Sequence, residues 1–459
     1  MNPFLIRKLI YPAYRALKRD NVLRYRDEMR RVQVFEPSEI REYQWRKLRP
    51  LLEHAATRVP YYRKVFRQLG AQPGDFKSLE DISALPVLRK GDIRANVEDL
   101  IAEDYPRRHL SYDETGGSTG QNLAFYIDRE SSRARLGNNI RMNEWVGIDI
   151  GDRWAVLWGV RFRVTRRERM LRALKNWFTN YIVLSTYKMD VDSVRGYLER
   201  LRRFKPRVII AYPSALAHIS QVARQQGLEP YSPGVIIVSG ETLFEWQRHM
   251  IEQAFGATVI NHYGSCEFGA VARECSHRKG LHVASDRVLL ETLPIANAVA
   301  GEDAGEIVMT DLDNYGMPFI RYAIEDYGHV EEGHCACGLN LPRLSSMVGR
   351  AYDVIRAPNG NYLGGTFWGH ILKANVEKFQ IVQEEIDRVS IAVVPDGEFG
   401  DDNKSYVLER VREACGDRMR VEFDIRPEIE PTRSGKHRYV ISRLESAGGE
   451  EADRRKQGV

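Results

Sequence analysis

Apolar residues recur at three- and four-residue steps through Leu48, Leu51, Leu52 and Ala55, and the pattern stops at Val59-Pro60-Tyr61-Tyr62. Residues 39–69 are therefore predicted helical, with a break at the proline. A turn-rich stretch with Gly70, Pro73 and Gly74 follows. Short apolar runs at 154–158, 208–211, 234–239 and 257–261 predict buried strands, and amphipathic segments at 191–203, 214–226 and 243–255 predict helices. Strand–helix alternation of this kind implies α/β layers with substantial parallel sheet. Beyond about residue 281 the pattern changes to hairpins, with strands at 288–293 and 305–311. After the turn Pro358-Asn359-Gly360, a strand at 389–394 and a helix at 405–414 outline a small α+β unit. The expected organisation is a large multi-layer α/β domain at 1–348, a small α+β domain at 349–445 and a disordered polar tail at 446–459.

Composition narrows the class only modestly. The chain has 459 residues, too many for one ordinary compact domain, and 43% of them are apolar, enough for substantial cores. A net charge of +5 spread over this length does not argue for nucleic acid, and no nucleic-acid module is present. Five cysteines form no disulfide framework, and Arg7, Lys8, Arg15, Lys18 and Arg19 interrupt the apolar residues at the start. Neither a signal peptide nor a membrane span is predicted, and the expectation is a cytoplasmic protein. The opening stretch carries Phe4, Leu5, Leu9, Ile10, Tyr11, Tyr14 and Leu17 among those cations, and residues 161–178 are similarly basic and aromatic. Each has two readings, a solvated helix packed by one apolar face or peripheral contact with an anionic membrane.

Four constellations carry candidate chemistry. Thr115-Gly116-Gly117-Ser118-Thr119-Gly120 precedes the strand-like segment 123–127. Glycines let backbone amides approach an anion and the hydroxyls add donors, so the loop suits phosphate, although it lacks the Gly-Lys-Ser/Thr ending of a P-loop. His262-Tyr263-Gly264-Ser265-Cys266-Glu267 follows a predicted strand, and Ser239-Gly240-Glu241 ends another. Ligands of open α/β sheets bind at that edge, where Tyr263 can stack, Ser265 can donate to phosphate and Glu267 can hold Mg²⁺. Arg321-Tyr322, Asp326, Gly349-Arg350 and Asp353 form the third set, with carboxylate for ribose hydroxyls and guanidinium for phosphate. The fourth is Arg433-Ser434-Gly435-Lys436-His437-Arg438, a lysine in the small domain that closure would bring to the others. Separately, Cys335-Ala336-Cys337 lies downstream of Cys275, with His282 or His277 completing a set of four suited to structural Zn²⁺.

In this order the motifs resemble the adenylate-forming superfamily of acyl-CoA synthetases and adenylation domains, and within it the phenylacetate–CoA ligase family and CapK-type proteins. Leu51-Leu52-Glu53-His54-Ala55, Val59-Pro60-Tyr61-Tyr62-Arg63 and Ser78-Leu79-Glu80-Asp81-Ile82 extend the likeness over nearly the whole chain. The resemblance implies an AMP-forming acid ligase, with ATP held by residues 115 to 120. It also implies Ser239, Gly240 and Glu241 at the adenine, Tyr263 stacked on it, Gly264 and Ser265 by the phosphate and Glu267 on Mg²⁺. Asp326 then accepts the ribose hydroxyls with Arg350 nearby, Asp353 is the hinge, and Lys436 is the catalytic lysine. Some members of the phenylacetate–CoA ligase family carry a zinc in the cysteine region, which favours Cys275, His282, Cys335 and Cys337.

Implied partners are a small carboxylic acid, ATP, and CoA or another acceptor (carrier protein, sugar or amine), with a homodimer also consistent. The rival readings are a non-catalytic ATP-binding relative and a CoA-independent transfer enzyme. Two departures stand out. Such loops usually end Thr-Gly-x-Pro, whereas Gly120 is followed here by Gln121-Asn122, and Cys266 takes a place often held by Ser or Thr, where a small buried filler is expected. An aromatic acid-pocket wall is expected around Trp158-Gly159 and Tyr212-Pro213-Ser214.

Overall fold

A computed structural model describes residues 2–18, 20–115, 123–158, 176, 179–186, 189–294, 305–350, 355–359, 361–363, 365–372, 375–430 and 437–444. Helices Pro37–Arg58 and Pro60–Leu69 meet at Val59, as the proline predicts, and bury Leu48, Leu51 and Leu52 in the largest core. Strands β1 (Leu110–Glu114) and β2 (Ala124–Asp128) form a hairpin flanking the glycine-rich loop, whose residues 116–120 lie outside the described residues.

The main sheet contains β3 (Trp154–Trp158), β4 (Tyr181–Ser185), β5 (Val208–Ala211), β6 (Val235–Ser239), β7 (Val259–Ser265), β8 (Gly269–Glu274) and β9 (Leu281–Val283). It continues with β10 (Val288–Pro294), β11 (Gly305–Asp311), β12 (Tyr322–Glu331) and β13 (Arg343–Arg350). Their spatial order is β10-β11-β12-β13-β9-β8-β7-β6-β5-β3-β4. From β4 to β7 all pairs are parallel, and from β7 to β10 all are antiparallel. The parallel strands are connected by helices Val191–Phe204, Pro213–Gln225 and Glu245–Phe255 and read as continuous apolar runs because both faces are covered. The antiparallel half packs on the N-terminal helices.

β14 (Ile355–Arg356) and β15 (Tyr362–Leu363) pair with each other. A second sheet is formed by β16 (Val376–Glu385), β17 (Arg388–Pro395), β18 (Arg420–Ile425) and β19 (Val440–Ser442), in the order β18-β17-β16-β19. Helix Asp401–Cys415 crosses from β17 to its parallel neighbour β18. The core of this unit includes Phe244 from the large domain, which touches Tyr439 and lies against Gly369. The architecture is thus α/β with a large multi-layer unit followed by a small α+β unit.

Helix Arg129–Glu144, unpredicted by periodicity, carries a fully buried ion pair. Arg141 and Asp286 are both fully buried and 2.6 Å apart, and Arg141 also donates to Asn138 Oδ1 and the Met29 carbonyl. Removing one partner of such a pair strands the other in low dielectric. Asp286→Ala is expected to lower stability of the large unit by about 3–5 kcal/mol, read as a shifted urea midpoint. Arg141→Met with Asp286→Leu should recover much of that loss.

Candidate active site

Ser239, Tyr263, Ser265, Glu267 and Asp326 gather where the main sheet changes from parallel to antiparallel. The apolar run at 257–261 continues as β7 to Ser265 and then turns back into β8, so the His262–Glu267 motif lies on a hairpin rather than at a strand-to-helix turn. Ser239, at the end of β6, is opposite His262 in the parallel register. Gly240 has φ +83°, and a Cβ there would approach the Tyr212 ring to 3.0 Å and Trp158 to 3.4 Å. Trp158 and Tyr212 have ring centroids 4.1 Å apart beside this edge. Gly159 lies outside the described residues.

Two tyrosine–carboxylate bonds lock the hairpin to β12, which is not its sheet neighbour. Tyr263 Oη donates to Asp326 Oδ2 at 2.7 Å, and Tyr322 Oη donates to Glu267 Oε1 at 3.2 Å. Each motif thus supplies one donor and one acceptor. Burial and the adjacent Glu267 push the Tyr322 phenol well above its usual range, keeping it a neutral donor. Asp326 is opposite Arg350 across β12 and β13. Ser265 Oγ accepts from the Phe268 amide at 3.2 Å.

Arg135 had no signature in the sequence beyond a place in a polar helix, yet it holds the hairpin turn. Its guanidinium donates to the carbonyl oxygens of Cys266 and Glu267 and to Asp311 Oδ2. Cys266 is exposed, which corrects the expectation of a buried filler, since the turn points its side chain outward. Arg321 is committed elsewhere. It pairs with Glu291 at 3.0 Å and donates to the Ser83 carbonyl, anchoring the segment before β12. His262 Nδ1 accepts from Arg273 Nε at 3.1 Å, and burial with that neighbouring cation holds its pKa well below the usual value.

The small domain reaches this edge through the residue after Lys436. The His437 amide donates to Glu241 Oε1 at 2.9 Å, and Glu241 Oε2 accepts from the Ser214 amide at 3.1 Å. Gln247 Nε2 donates to Tyr439 Oη at 2.7 Å nearby. Gly116, Gly117, Ser118, Thr119, Gly120, Asp353 and Lys436 lie outside the described residues. Thr115 is described, and its hydroxyl accepts from the Leu123 amide at 3.1 Å, closing the base of the glycine-rich loop.

A second cluster lies on the antiparallel half. The ligand atoms of Cys275, His282, Cys335 and Cys337 all lie within 4.8 Å of one another. Cys275 and Cys335 sulfurs are 3.9 Å apart, and Cys337 Sγ is 3.4 Å from His282 Nε2. Thiolates at the usual distance from zinc define a tetrahedron with edges of about 3.8 Å, so the donor set and spacing fit Zn²⁺. His282 Nδ1 lies 3.2 Å from the Leu341 carbonyl, which orients Nε2 toward the sulfurs. Burial lowers the His282 pKa to about 4, so it is the neutral imidazole a metal takes. His277 is exposed and outside this cluster.

Comparison with known proteins agrees with this architecture. A profile of the CapK C-terminal domain matches residues 355–443. Protein CapK of Staphylococcus aureus is 21% identical over 92% of each chain. The phenylacetate-coenzyme A ligase of Pseudomonas putida is 24% identical over 88% of this chain and 86% of its own. Among solved structures, a 2-hydroxyisobutyryl-CoA ligase in the postadenylation state superposes with TM-score 0.73, at 22% identity and 94% coverage of both chains. The same ligase in its thioesterification state gives 0.59 at the same coverage. The fold is thus that of adenylate-forming enzymes. By sequence, the chain is a homologue of CapK and of the phenylacetate-coenzyme A ligases.

His437 provides a pH test of the domain contact. Its ring Nε2 bonds the Phe379 carbonyl at 2.8 Å, and burial brings its pKa down to about 4. The unfolded chain takes up this proton below about pH 6.5, whereas the folded one resists it until about 4. The associated stability is complete above pH 6.5 and is lost as pH falls toward 4. His437→Gln should flatten that fall by up to about 3 kcal/mol, measured as the urea midpoint against pH.

Proposed function

We propose that the protein is an AMP-forming acid ligase, joining a carboxylic acid to CoA through an acyl-adenylate. The observation that carries this reading is the reciprocal pair Tyr263–Asp326 and Tyr322–Glu267, which brings an aromatic ring and two carboxylates to one edge. The tether from His437 to Glu241 supports it, because it brings the segment next to Lys436 to that edge. The names of the ligase relatives support both the chemistry and the acceptor.

In this reading residues 115 to 120 hold the β- and γ-phosphates of ATP. Tyr263 stacks on adenine beside Ser239 and Gly240, while Asp326 accepts the ribose hydroxyls, with Arg350 nearby. Glu241, whose two oxygens accept main-chain amides, serves the site mainly by positioning. Ser265 and Gly264 face the phosphate. Glu267 offers a buried carboxylate oxygen of the kind Mg²⁺ takes, and the ion bound there supplies charge neutralisation on the phosphates.

An acid carboxylate oxygen attacks the α-phosphorus, and the bond to pyrophosphate breaks. Both partners are anionic, so Lys436 neutralises and aligns them. A thiolate sulfur then attacks the acyl carbon and AMP leaves. The better match to the postadenylation state supports assigning this domain arrangement to the first half-reaction, with residues 349–445 turning about Asp353 for the second. The Trp158–Tyr212 wall borders the acid, whose identity a panel of aryl, fatty and hydroxy acids would decide. The same assay with CoA, carrier protein, sugar and amine acceptors separates a CoA ligase from a CoA-independent enzyme.

Lys436→Ala should slow acid-dependent pyrophosphate release by about 10², or about 2.7 kcal/mol, with ATP binding little changed. Glu267→Gln should raise the Mg²⁺ concentration for half-maximal rate severalfold, with part of the rate recovered at high Mg²⁺. Wild-type activity with no acid of the panel would return the chain to a non-catalytic ATP-binding role.

We also assign the Cys275–His282–Cys335–Cys337 cluster to one structural zinc that ties the end of β8 to β9 and to the β12–β13 connection. Elemental analysis of the purified protein should find about one zinc per chain. Cys335→Ser with Cys337→Ser should lose the metal and lower the thermal midpoint.

A further inference from the structure

The N-terminal rod packs the wrong way round for an ordinary surface helix. It runs through Pro3–Leu5, a π-turn at Ile6–Ile10 and Tyr11–Lys18. Pro12 explains the π-turn, since it lacks the amide that would bond the Lys8 carbonyl, and the Tyr11 amide reaches back to Ile6 instead. The side facing the body carries the buried Ile6 and the half-buried Tyr11 together with Arg7 and Arg15. Arg7 pairs with Asp149 at 2.6 Å and donates to the Ile150 carbonyl, and Arg15 pairs with Asp20 at 2.7 Å. Gly151, with φ +91°, lets the rod come so close that a Cβ there would sit 2.7 Å from the Pro3 carbonyl. Only Ile6 of the rod's large aliphatic residues is buried.

The outward side carries Phe4, Leu5, Leu9, Ile10, Tyr14 and Leu17, with Leu9 62% and Leu17 84% exposed. Burying such residues is the usual reason a helix docks, and here the docking leaves them in water. The exposed cations Lys8 and Lys18 accompany this side, and no acidic residue occurs before Asp20. An apolar face with cations and no acids is complementary to anionic headgroups over an acyl layer. Among the described residues no helix is long and apolar enough to span a bilayer, so the contact is in the interfacial plane.

The geometry points to a peripheral membrane-binding site: the rod of residues 3–18 lies in the surface of an anionic bilayer. Gly151 precedes β3, at the amino ends of the parallel strands, whereas Ser239–Glu241 lies at their carboxyl ends. A membrane held at the first edge leaves the second open, so the proposed ligase would activate its acid at a lipid surface.

The test is flotation of the full-length protein with phosphatidylglycerol or phosphatidylcholine vesicles, with light scattering of the protein alone. Binding to phosphatidylglycerol and at least about tenfold weaker binding to phosphatidylcholine is expected. Leu9→Glu with Leu17→Glu should weaken vesicle binding by about 100-fold and leave the urea midpoint unchanged. Should that variant lose its fold, Lys8→Ala with Lys18→Ala, which touches only exposed cations, is expected to weaken binding by about tenfold. Wild-type protein that stays out of the phosphatidylglycerol fraction overturns the site. A wild-type dimer that becomes monomeric in Leu9→Glu/Leu17→Glu, without vesicle binding, would give this face to a second copy of the chain instead.

Discussion

The helix Arg129–Glu144 carries two guanidinium groups into the interior, and the geometry around the candidate site depends on them. Arg141 meets Asp286 with neither group exposed, and Arg135 reaches Asp311 and the turn carbonyls of Cys266 and Glu267. Asp311 and Asp313 in turn face Arg287, and Asp313 receives Lys47 from the N-terminal helix. Buried charges persist only when paired, and the requirement is directional as well as electrostatic. Satisfying them specifies how this helix, the β7–β8 hairpin and the β10–β11 edge sit together. The same helix begins at Asp128, whose carboxylate caps Ser131 and accepts the amides of Tyr315 and Gly316. The hairpin that leads to the glycine-rich loop is therefore tied to the same framework.

On that framework the sheet makes its change of direction. The parallel half ends at β7, and the antiparallel half curls so that β12, four strands away from β7 in sheet order, returns to it. Two tyrosine–carboxylate bonds close this return. The arrangement places one carboxylate on each tyrosine donor. The small domain meets the large one through the His437 amide on Glu241 and through the exposed Arg224–Asp396 pair.

Much of the fold was legible along the chain because its signals are local. Apolar runs of the parallel strands, the helices between them, the proline break at Val59–Pro60 and the late hairpins all follow from period and turn chemistry. The helix Arg129–Glu144 was not legible. Its inward positions include Arg135, Asn138 and Arg141, so burial there runs against hydropathy and only distant acids explain it. The continuation of β7 through Ser265 was hidden for a related reason. His262, Tyr263 and Gly264 have no strand pattern of their own, and pairing with β8 supplies it.

The site shows the same division. Residue types and order identified Ser239–Glu241, Tyr263–Glu267, Asp326 and the cysteine set as candidates, since each type has a characteristic chemistry that composition displays directly. Which residue meets which was decided by tertiary structure. Tyr263 bonds Asp326 and Tyr322 bonds Glu267, Arg321 is drawn off to Glu291, and His282 rather than His277 joins Cys275, Cys335 and Cys337. Side-chain chemistry is a property of the residue and can be read in one dimension. Pairing depends on distances across strands tens to hundreds of residues apart, and those exist only once the sheet has curled and its buried charges have found partners.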